Sequence, residues 1–284
     1  MASASRALGH SQPSITKSIR SLELDLQAQL VQRTSRGVVA TRYGRAFYAR
    51  AKAAQAELEK ARQELGQLTG SEAGFVALGT GPVVADLVLP EAIVAFRKEF
   101  AQAELRIFEG FAHTLIPLLR EATLELVVTA RLPQFRRDRG LSFRPLFYHD
   151  RVVAARRGHP LARAKSLREL TAAQWLSFEP RALLDNEFTS RHLPKPQSVI
   201  LCESYVGFIR LLETSDMVGI LPRSVLTRPQ AREALRQLRL SDTLASITVG
   251  IFSRSDTTFT PAAAAMARAI TAVGQQLARS AKER

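Results

Sequence analysis

The sequence predicts an α/β protein in which a small winged helix-turn-helix and a long connecting helix precede two lobes of alternating strands and helices. Three observations predict this division. Residues 1–52 carry nine Lys or Arg against two acids, which is half of the net charge of +14 in the 284-residue chain. Residues 47–68 repeat apolar side chains every 3.5 positions on average. From residue 74 onward, short apolar runs alternate with helical patterns.

The composition narrows the function classes. The length suggests two domains, at roughly 150 residues each, and the positive charge points to an anionic partner, either nucleic acid or a membrane surface. An apolar content of 46% and a charged content of 23% argue against disorder. One cysteine, Cys202, excludes an intrachain disulfide framework. No secretory signal is visible, and charged residues and prolines interrupt the most apolar stretch, residues 75–96. We expect a cytoplasmic protein without a membrane partner.

Residues 2–26 predict two helices joined by a tight turn. Residues 2–8 form the first helix, Gly9 supplies the turn, and Ser11 or Gln12 caps the second helix with Pro13 in its first turn. The second helix carries an apolar stripe of Ile15, Ile19, Leu22 and Leu26. Its opposite face is polar and basic, with Gln12, Thr16, Lys17 and Arg20. Such a face suits the major groove of DNA.

Residues 30–41 predict a β-hairpin, because apolar runs flank a basic turn that contains Gly37. Arg33 and Arg36 lie at its tip, where they can reach phosphates or the minor groove. The alternative for the whole segment is an ordinary amphipathic helix and hairpin with solvated charges. The order of the pieces favours DNA binding.

The connecting helix covers residues 43–70. Its repeat is the pattern of a coiled-coil seam, formed by Phe47, Ala51, Ala54, Leu58, Ala61, Leu65 and Leu68. The alternative is a helix packed on its own domain. We favour a dimer-forming helix, since the remaining positions are almost all polar.

The rest of the chain predicts two rounds of strands and helices, which indicates parallel sheets covered on both faces. The last element is a helix capped by Thr260 with Pro261 at its first position. Met266, Ile270, Val273 and Leu277 share one face of that helix.

Residues 11–44, SQPSITKSIRSLELDLQAQLVQRTSRGVVATRYG, resemble the winged helix of LysR-type transcriptional regulators. The resemblance extends more weakly over essentially the whole chain, and within the family it is nearest to regulators of aromatic sulfonate or carboxylate degradation. It implies DNA contacts from the second helix and the wing: Ser11, Gln12, Pro13, Thr16, Lys17, Arg20, Arg33, Ser35, Arg36 and Thr41. It also implies a homodimer or homotetramer that binds double-stranded DNA and a small-molecule effector.

The resemblance implies four regions. The DNA-binding domain is residues 1–42, followed by the linker helix. The effector domain is similar to a periplasmic binding protein, with lobe 1 at 74–143 and 241–284 and lobe 2 at 144–240. The hinge strands are expected near Phe143 and Leu240.

The family has a further helix ahead of the point where this sequence begins. We therefore expect weakened or absent DNA binding by the chain as given. The alternative function is a ligand-sensing or solute-binding protein that does not bind DNA.

Ligands of open α/β sheets bind beyond the carboxyl ends of strands. The candidate effector residues follow predicted strands: Thr80, Gly81, Pro82, Val83, Thr129, Ala130, Arg131, Phe178, Glu179, Arg181, Glu203, Ser204, Tyr205, Gly219 and Ile220. Arg131 and Arg181 can neutralise an acid, and Phe178 and Tyr205 can stack on a ring, which predicts an aromatic anion. The alternative is that Arg131 and Arg181 are ordinary surface charges and that Phe178 belongs to the apolar core.

An enzyme is the third hypothesis. Residues 14–17 match an S-x-x-K pattern, but its K-T-G and S-D-N partners are missing. Glu179 and Glu203 could act as an acid and a base, yet no nucleophile accompanies them. The five histidines lack a metal-binding spacing. We expect no enzyme activity, no cofactor and no metal.

Overall fold

The computed structural model describes residues 9–34, 37–68, 74–132, 135 and 140–282. The predicted first helix, residues 2–8, lies outside these ranges. The winged segment (residues 9–41) consists of a helix and a two-stranded antiparallel hairpin. These elements are α1 (Gln12–Asp25), β1 (Val31–Thr34) and β2 (Gly37–Ala40).

The start of α1 follows from its sequence as predicted. Gly9 has a φ of 65°, a left-handed conformation that glycine adopts without strain. The Ser11 side chain accepts a hydrogen bond from the backbone N–H of Ser14 at 3.3 Å. Pro13 lies in the first turn, where a missing N–H costs nothing.

A single long helix, α2 (Arg42–Leu68), follows the wing. The Thr41 hydroxyl accepts a hydrogen bond from the N–H of Gly44 at 3.0 Å and donates one to the carbonyl of Gln29 at 2.6 Å. A Cβ at Gly44 would collide with the carbonyl oxygen of Leu30. The helix therefore approaches the wing at a point where only glycine fits. Further along, Leu58 and Leu65 of the predicted seam are exposed, which favours the dimer interpretation over packing on the chain's own lobes.

Lobe 1 contains a five-stranded sheet in the order β4–β3–β5–β12–β6. Strands β3, β4 and β5 are parallel, whereas β12 is antiparallel to both of its neighbours. The elements are β3 (Phe75–Thr80), α3 (Pro82–Leu87), α4 (Leu89–Glu99), β4 (Glu104–Glu109), α5 (Ala112–Arg120), β5 (Leu126–Ala130), β6 (Leu141–His149), β12 (Ile247–Arg254) and α9 (Pro261–Lys282).

Lobe 2 contains a second five-stranded sheet in the order β11–β7–β10–β8–β9. Here β8 is parallel to β9 and β10, and β7 is antiparallel to β10 and β11. The elements are β7 (Arg151–Arg156), a 3₁₀ turn (Leu167–Leu170), β8 (Gln174–Ser177), α6 (Arg181–Thr189), β9 (Val199–Leu201), α7 (Tyr205–Thr214), β10 (Met217–Pro222), a 3₁₀ turn (Arg223–Thr227), α8 (Pro229–Ala234) and β11 (Leu235–Gln237).

The expected parallel strands are present in each lobe, but both sheets also contain antiparallel strands. Parallel neighbours need a crossover connection of a dozen residues or more, but only Asp150 separates β6 from β7. The two strands belong to different sheets. Strand β12 returns from lobe 2 and adds to lobe 1 in the antiparallel sense.

The chain crosses between the lobes later than the sequence indicated. All of β6 belongs to lobe 1, because it pairs with β12 from Leu141 to His149, so the first crossing is at Asp150 and not near Phe143. The return crossing directly precedes Ile247 and is not near Leu240. Leu244 packs in the core of lobe 2, and Ser241 donates its N–H to the carbonyl of Lys165 at 2.8 Å.

Each lobe has its own apolar core. In lobe 1, α9 packs Met266, Ile270 and Val273 against the sheet, and Thr260 caps the helix by accepting from the N–H of Ala263 at 3.2 Å. In lobe 2, Trp175 is fully buried and donates its indole N–H to the carbonyl of Leu170 at 2.9 Å. No helix within the described ranges is long and apolar enough to cross a membrane.

Candidate functional site

The outer face of α1 is an open surface. None of the residues of α1 is buried. Two hydroxyl groups at the start of α1 bond to the helix backbone. Ser11 caps the helix, and Thr16 donates to the carbonyl of Gln12 at 2.9 Å. Lys17 and Arg20 are exposed cations. One shallow groove is lined by five of the predicted DNA-contact residues: Gln12, Pro13, Thr16, Lys17 and Arg20.

A carboxylate that the sequence analysis missed fixes the wing to α1. One oxygen of Glu23 accepts hydrogen bonds from the N–H groups of Leu30 and Val31, at 2.7 and 3.0 Å. Glu23 is one of only two acidic residues in the strongly basic residues 1–52. An acid retained in such a segment was the sequence signal for a structural role of Glu23. The Thr41 hydroxyl is engaged by its two hydrogen bonds to the backbone. The Arg33 side chain and residues 35–36 lie outside the described part of the chain.

A cleft lies between the two lobes. It encloses about 620 Å³ of space, part of it open to solvent. Strand ends and helix starts of both lobes form its walls, as the rule for open α/β sheets predicts. The cleft is lined by seven of the predicted effector residues: Gly81, Pro82, Val83, Thr129, Ala130, Phe178 and Glu179.

The two arginines predicted to bind an acid are engaged elsewhere. The Arg131 guanidinium lies over the ring of Phe143, 4.7 Å from its centre. Arg181 pairs with Asp185 at 2.7 Å and donates to the carbonyl of Pro196 at 2.6 Å. Neither residue is among those that line the cleft.

The other predicted effector residues also lie outside the cleft lining. The hydroxyl of Thr80 is buried and donates to the carbonyl of Gly81, and Gly219 and Ile220 lie within β10. Glu203 is exposed, and Ser204 caps α7 by accepting from the N–H of Gly207 at 3.1 Å.

Tyr205 lines a second cavity at the boundary of the lobes. There Asp86 of lobe 1 forms an ion pair with Arg228 of lobe 2. Burial raises the pKa of the Tyr205 phenol, and the charge of Asp86 adds to this effect.

The cationic group of the cleft is Arg151, which the sequence analysis missed. Its side chain is only 6% exposed. Its guanidinium donates to the carbonyl of Ala245 at 2.9 Å, pairs with Glu187, and lies 3.4 Å from a carboxylate oxygen of Glu179. The signal available in the sequence was the run His149-Asp150-Arg151 between two apolar segments.

His149 also lines the cleft. Burial lowers the pKa of its imidazole to about 4, although the charge of Asp150 acts in the opposite direction. The Nε2 atom of His149 is buried and has no hydrogen-bond partner among the described residues. At neutral pH the imidazole at the cleft is therefore uncharged.

Comparison with known families decides what kind of protein this is. Residues 69–275 match the family model of the LysR substrate binding domain. Residues 1–45 match the model of bacterial regulatory helix-turn-helix proteins of the lysR family. The chain belongs to the LysR family. As a LysR-family protein it is a DNA-binding transcriptional regulator with an effector-binding domain, and the match at residues 1–45 favours this function over ligand sensing without DNA binding.

Individual relatives agree with this assignment. This chain is 29% identical over 272 residues to the HTH-type transcriptional regulator GalR of Pseudomonas putida. The match covers 94% of this chain and 68% of GalR. A full-length OxyR variant from Pseudomonas aeruginosa shares the fold with a TM-score of 0.69 and 22% identity, covering 98% of this chain and 91% of that one. The effector binding domain of QuiR in complex with shikimate matches with a TM-score of 0.57 and 17% identity, covering 73% of this chain and 98% of QuiR.

Proposed function

We propose that this regulator reads its operator with the outer face of α1 and with the wing, and that its effector is a small aromatic acid held between the lobes. It acts in the cytoplasm, where it reaches chromosomal DNA, as a homodimer or homotetramer that α2 holds together. The exposed polar and basic face of α1, beside a two-stranded wing, carries the DNA-binding part of the proposal.

The residues of that face suit both tasks of a recognition helix. Gln12 can form a bidentate pair with adenine, and Lys17 and Arg20 can reach guanine or the phosphates. The wing adds Arg33 and Arg36, whose proposed role is to bind phosphates or the minor groove. Ser11 and Thr41 hold the ends of the recognition unit through their backbone contacts.

Fluorescence anisotropy with the DNA that flanks the gene tests this assignment. The double variant Lys17→Ala, Arg20→Ala is expected to bind DNA at least about tenfold more weakly. The slope of log affinity against log salt concentration should become shallower by about two, because two fewer counterions are released. Lys98→Ala removes an exposed charge from α4 in lobe 1 and should leave affinity unchanged. Equal losses in both variants would show that net charge, and not the face of α1, determines binding.

The cleft supports a small aromatic acid as the effector. Phe178, Phe111 and Val83 provide apolar surface, Arg151 provides the countercharge and His149 a neutral hydrogen-bonding group. The solved QuiR domain, which has the same fold, holds shikimate. Isothermal titration with benzoate, salicylate and benzenesulfonate tests this part, and the absence of heat with all three would contradict it.

Binding between the lobes provides a route to regulation. A ligand that contacts both lobes stabilises the arrangement in which both sets of contacts form. In an oligomer joined through α2, a change of lobe angle alters the spacing of the paired winged segments on DNA. This describes a regulator whose operator geometry depends on its effector.

A further inference from the structure

Arg151 is held by three partners that differ in strength. It is the first residue of β7, and its side chain is buried at the floor of the cleft. The carbonyl of Ala245 and the carboxylate of Glu187 hold two sides of the guanidinium. The third side faces Glu179 through a single contact of 3.4 Å between Nη1 and Oε2. Of the three, this contact is the longest.

The two carboxylates differ in how firmly they are fixed. Glu187 is buried and bridges two cations, because its second oxygen also accepts from Arg191 at 3.0 Å. Glu179 lines the cleft, and Arg151 is the partner of its side chain within the described residues. Its backbone is held separately, by two hydrogen bonds with the Ser177 hydroxyl. The Glu179 side chain can therefore move without disturbing the strand end.

The ion-paired groups around Arg151 already include more carboxylates than guanidinium groups. Arg151 and Arg191 supply two positive charges. Glu187, Glu179 and Asp242, which lies 3.7 Å from Arg191, supply the negative charges when all are ionised. A carboxylate that entered the cleft would add a further negative charge in a largely buried place, where unpaired charge is costly. Protonation of one carboxyl group would remove this cost.

We infer that Glu179 occupies the position on Arg151 that an effector carboxylate takes, and that binding displaces the Glu179 side chain and adds one proton to it. The inference rests on the proposed function, because it assumes that the effector is an acid. No covalent bond changes. The ligand enters as an anion, solvent supplies the proton, and the displaced neutral carboxyl group can then donate a hydrogen bond to the ligand.

The groups that face Glu179 agree with this assignment. Burial raises the pKa of Glu179, Arg151 at the start of β7 acts in the opposite direction, and Glu187 of α6 raises it further. His149, from the end of β6, lines the same cleft and stays neutral at pH values well above 4. Asp150 accepts from the Ser246 hydroxyl at 2.9 Å. Glu179, with its raised pKa and its single 3.4 Å contact to Arg151, is therefore the carboxyl group to which we assign the proton.

Isothermal titration of the full chain with benzoate, in phosphate and in Tris at the same pH, measures the number of protons taken up. Measured from pH 6 to pH 9, benzoate binding to the wild type should be accompanied by proton uptake, up to about one proton per benzoate, and affinity should fall as the pH rises. Glu179→Gln should bind benzoate without uptake, without this pH dependence, and more tightly than the wild type at pH 9. Glu203→Gln, at an exposed carboxylate outside the cleft lining, should behave as the wild type does.

The outcomes separate the two proposals. Benzoate binding without proton uptake in the wild type overturns this inference and leaves the effector proposal standing. Unchanged pH dependence in Glu179→Gln has the same consequence. No binding of benzoate, salicylate or benzenesulfonate at either end of the pH range overturns both proposals. The two-buffer comparison needs no variant, so it decides the question even when Glu179→Gln fails to fold.

Discussion

The winged segment and the lobes differ in what holds them together and in where their functional groups lie. In the winged segment, α1 buries no residue and is fixed to the wing through Glu23, and α2 approaches the start of the wing closely at Gly44. The lobes bury large side chains such as Trp175 and Phe96 completely. The functional face of α1 comes from one helix, whereas the cleft needs strand ends from both lobes. Stability and function should therefore respond to different substitutions in the two regions.

The largest effect is expected in the core of lobe 2. Trp175→Ala removes a buried ring that packs edge-on against Phe188, and it should lower the free energy of unfolding by about 3–5 kcal/mol. Urea denaturation followed by circular dichroism measures this, since Trp175 is the only tryptophan. Val206→Ala, at a side chain that is 73% exposed, serves as the control. A loss no greater than that of the control would contradict the description of the core.

Acid should destabilise the lobes through His149. Its pKa in the folded chain, about 4, lies below the usual value of 6.5. The stability from the neutral imidazole is therefore fully present above pH 6.5 and is lost as pH falls through 4, by about 3 kcal/mol. Urea denaturation at several pH values should show that His149→Asn loses this part of the acid sensitivity. Equal acid sensitivity in both proteins would rule out the burial effect.

A smaller effect is expected in the winged segment. Glu23→Ala leaves two backbone N–H groups without their acceptor and should destabilise that segment by about 2 kcal/mol. DNA affinity should fall, while unfolding of the lobes should not change. Asp25→Ala makes the same change of charge at an exposed site two residues away. Comparable losses of affinity in both variants would show that the acid matters only through its charge.

The smallest effect concerns an arginine that the sequence had assigned to the effector. Arg181→Ala breaks a pair with Asp185 outside the cleft, so benzoate affinity should change by less than about twofold. Isothermal titration measures this, with Arg151→Lys as the comparison at the cleft floor. A large loss in Arg181→Ala would restore the original assignment.

How much could be predicted from the sequence follows from the same contrast between the regions. The polar face of α1 was predictable, because helical spacing alone decides which side chains share a face. The cap of α9 was predictable for a similar local reason. The pair of Arg181 with Asp185 follows helical spacing too, but the contact of Arg181 with the carbonyl of Pro196, 15 residues along the chain, was not predictable. Arg151 was missed because its partners Glu179 and Glu187 lie 28 and 36 residues away in the chain.

The one-residue crossing at Asp150 couples the shape of the cleft to the angle between the lobes. His149 ends a strand of lobe 1, Arg151 begins a strand of lobe 2, and both line the cleft. Asp150 is fixed at both ends, by the N–H of Arg223 at 2.8 Å and by the Ser246 hydroxyl. Any turn of one lobe relative to the other must pass through its backbone dihedral angles. Such a turn changes the distance between the imidazole of His149 and the guanidinium of Arg151. A ligand that contacts both groups therefore fixes the angle between the lobes.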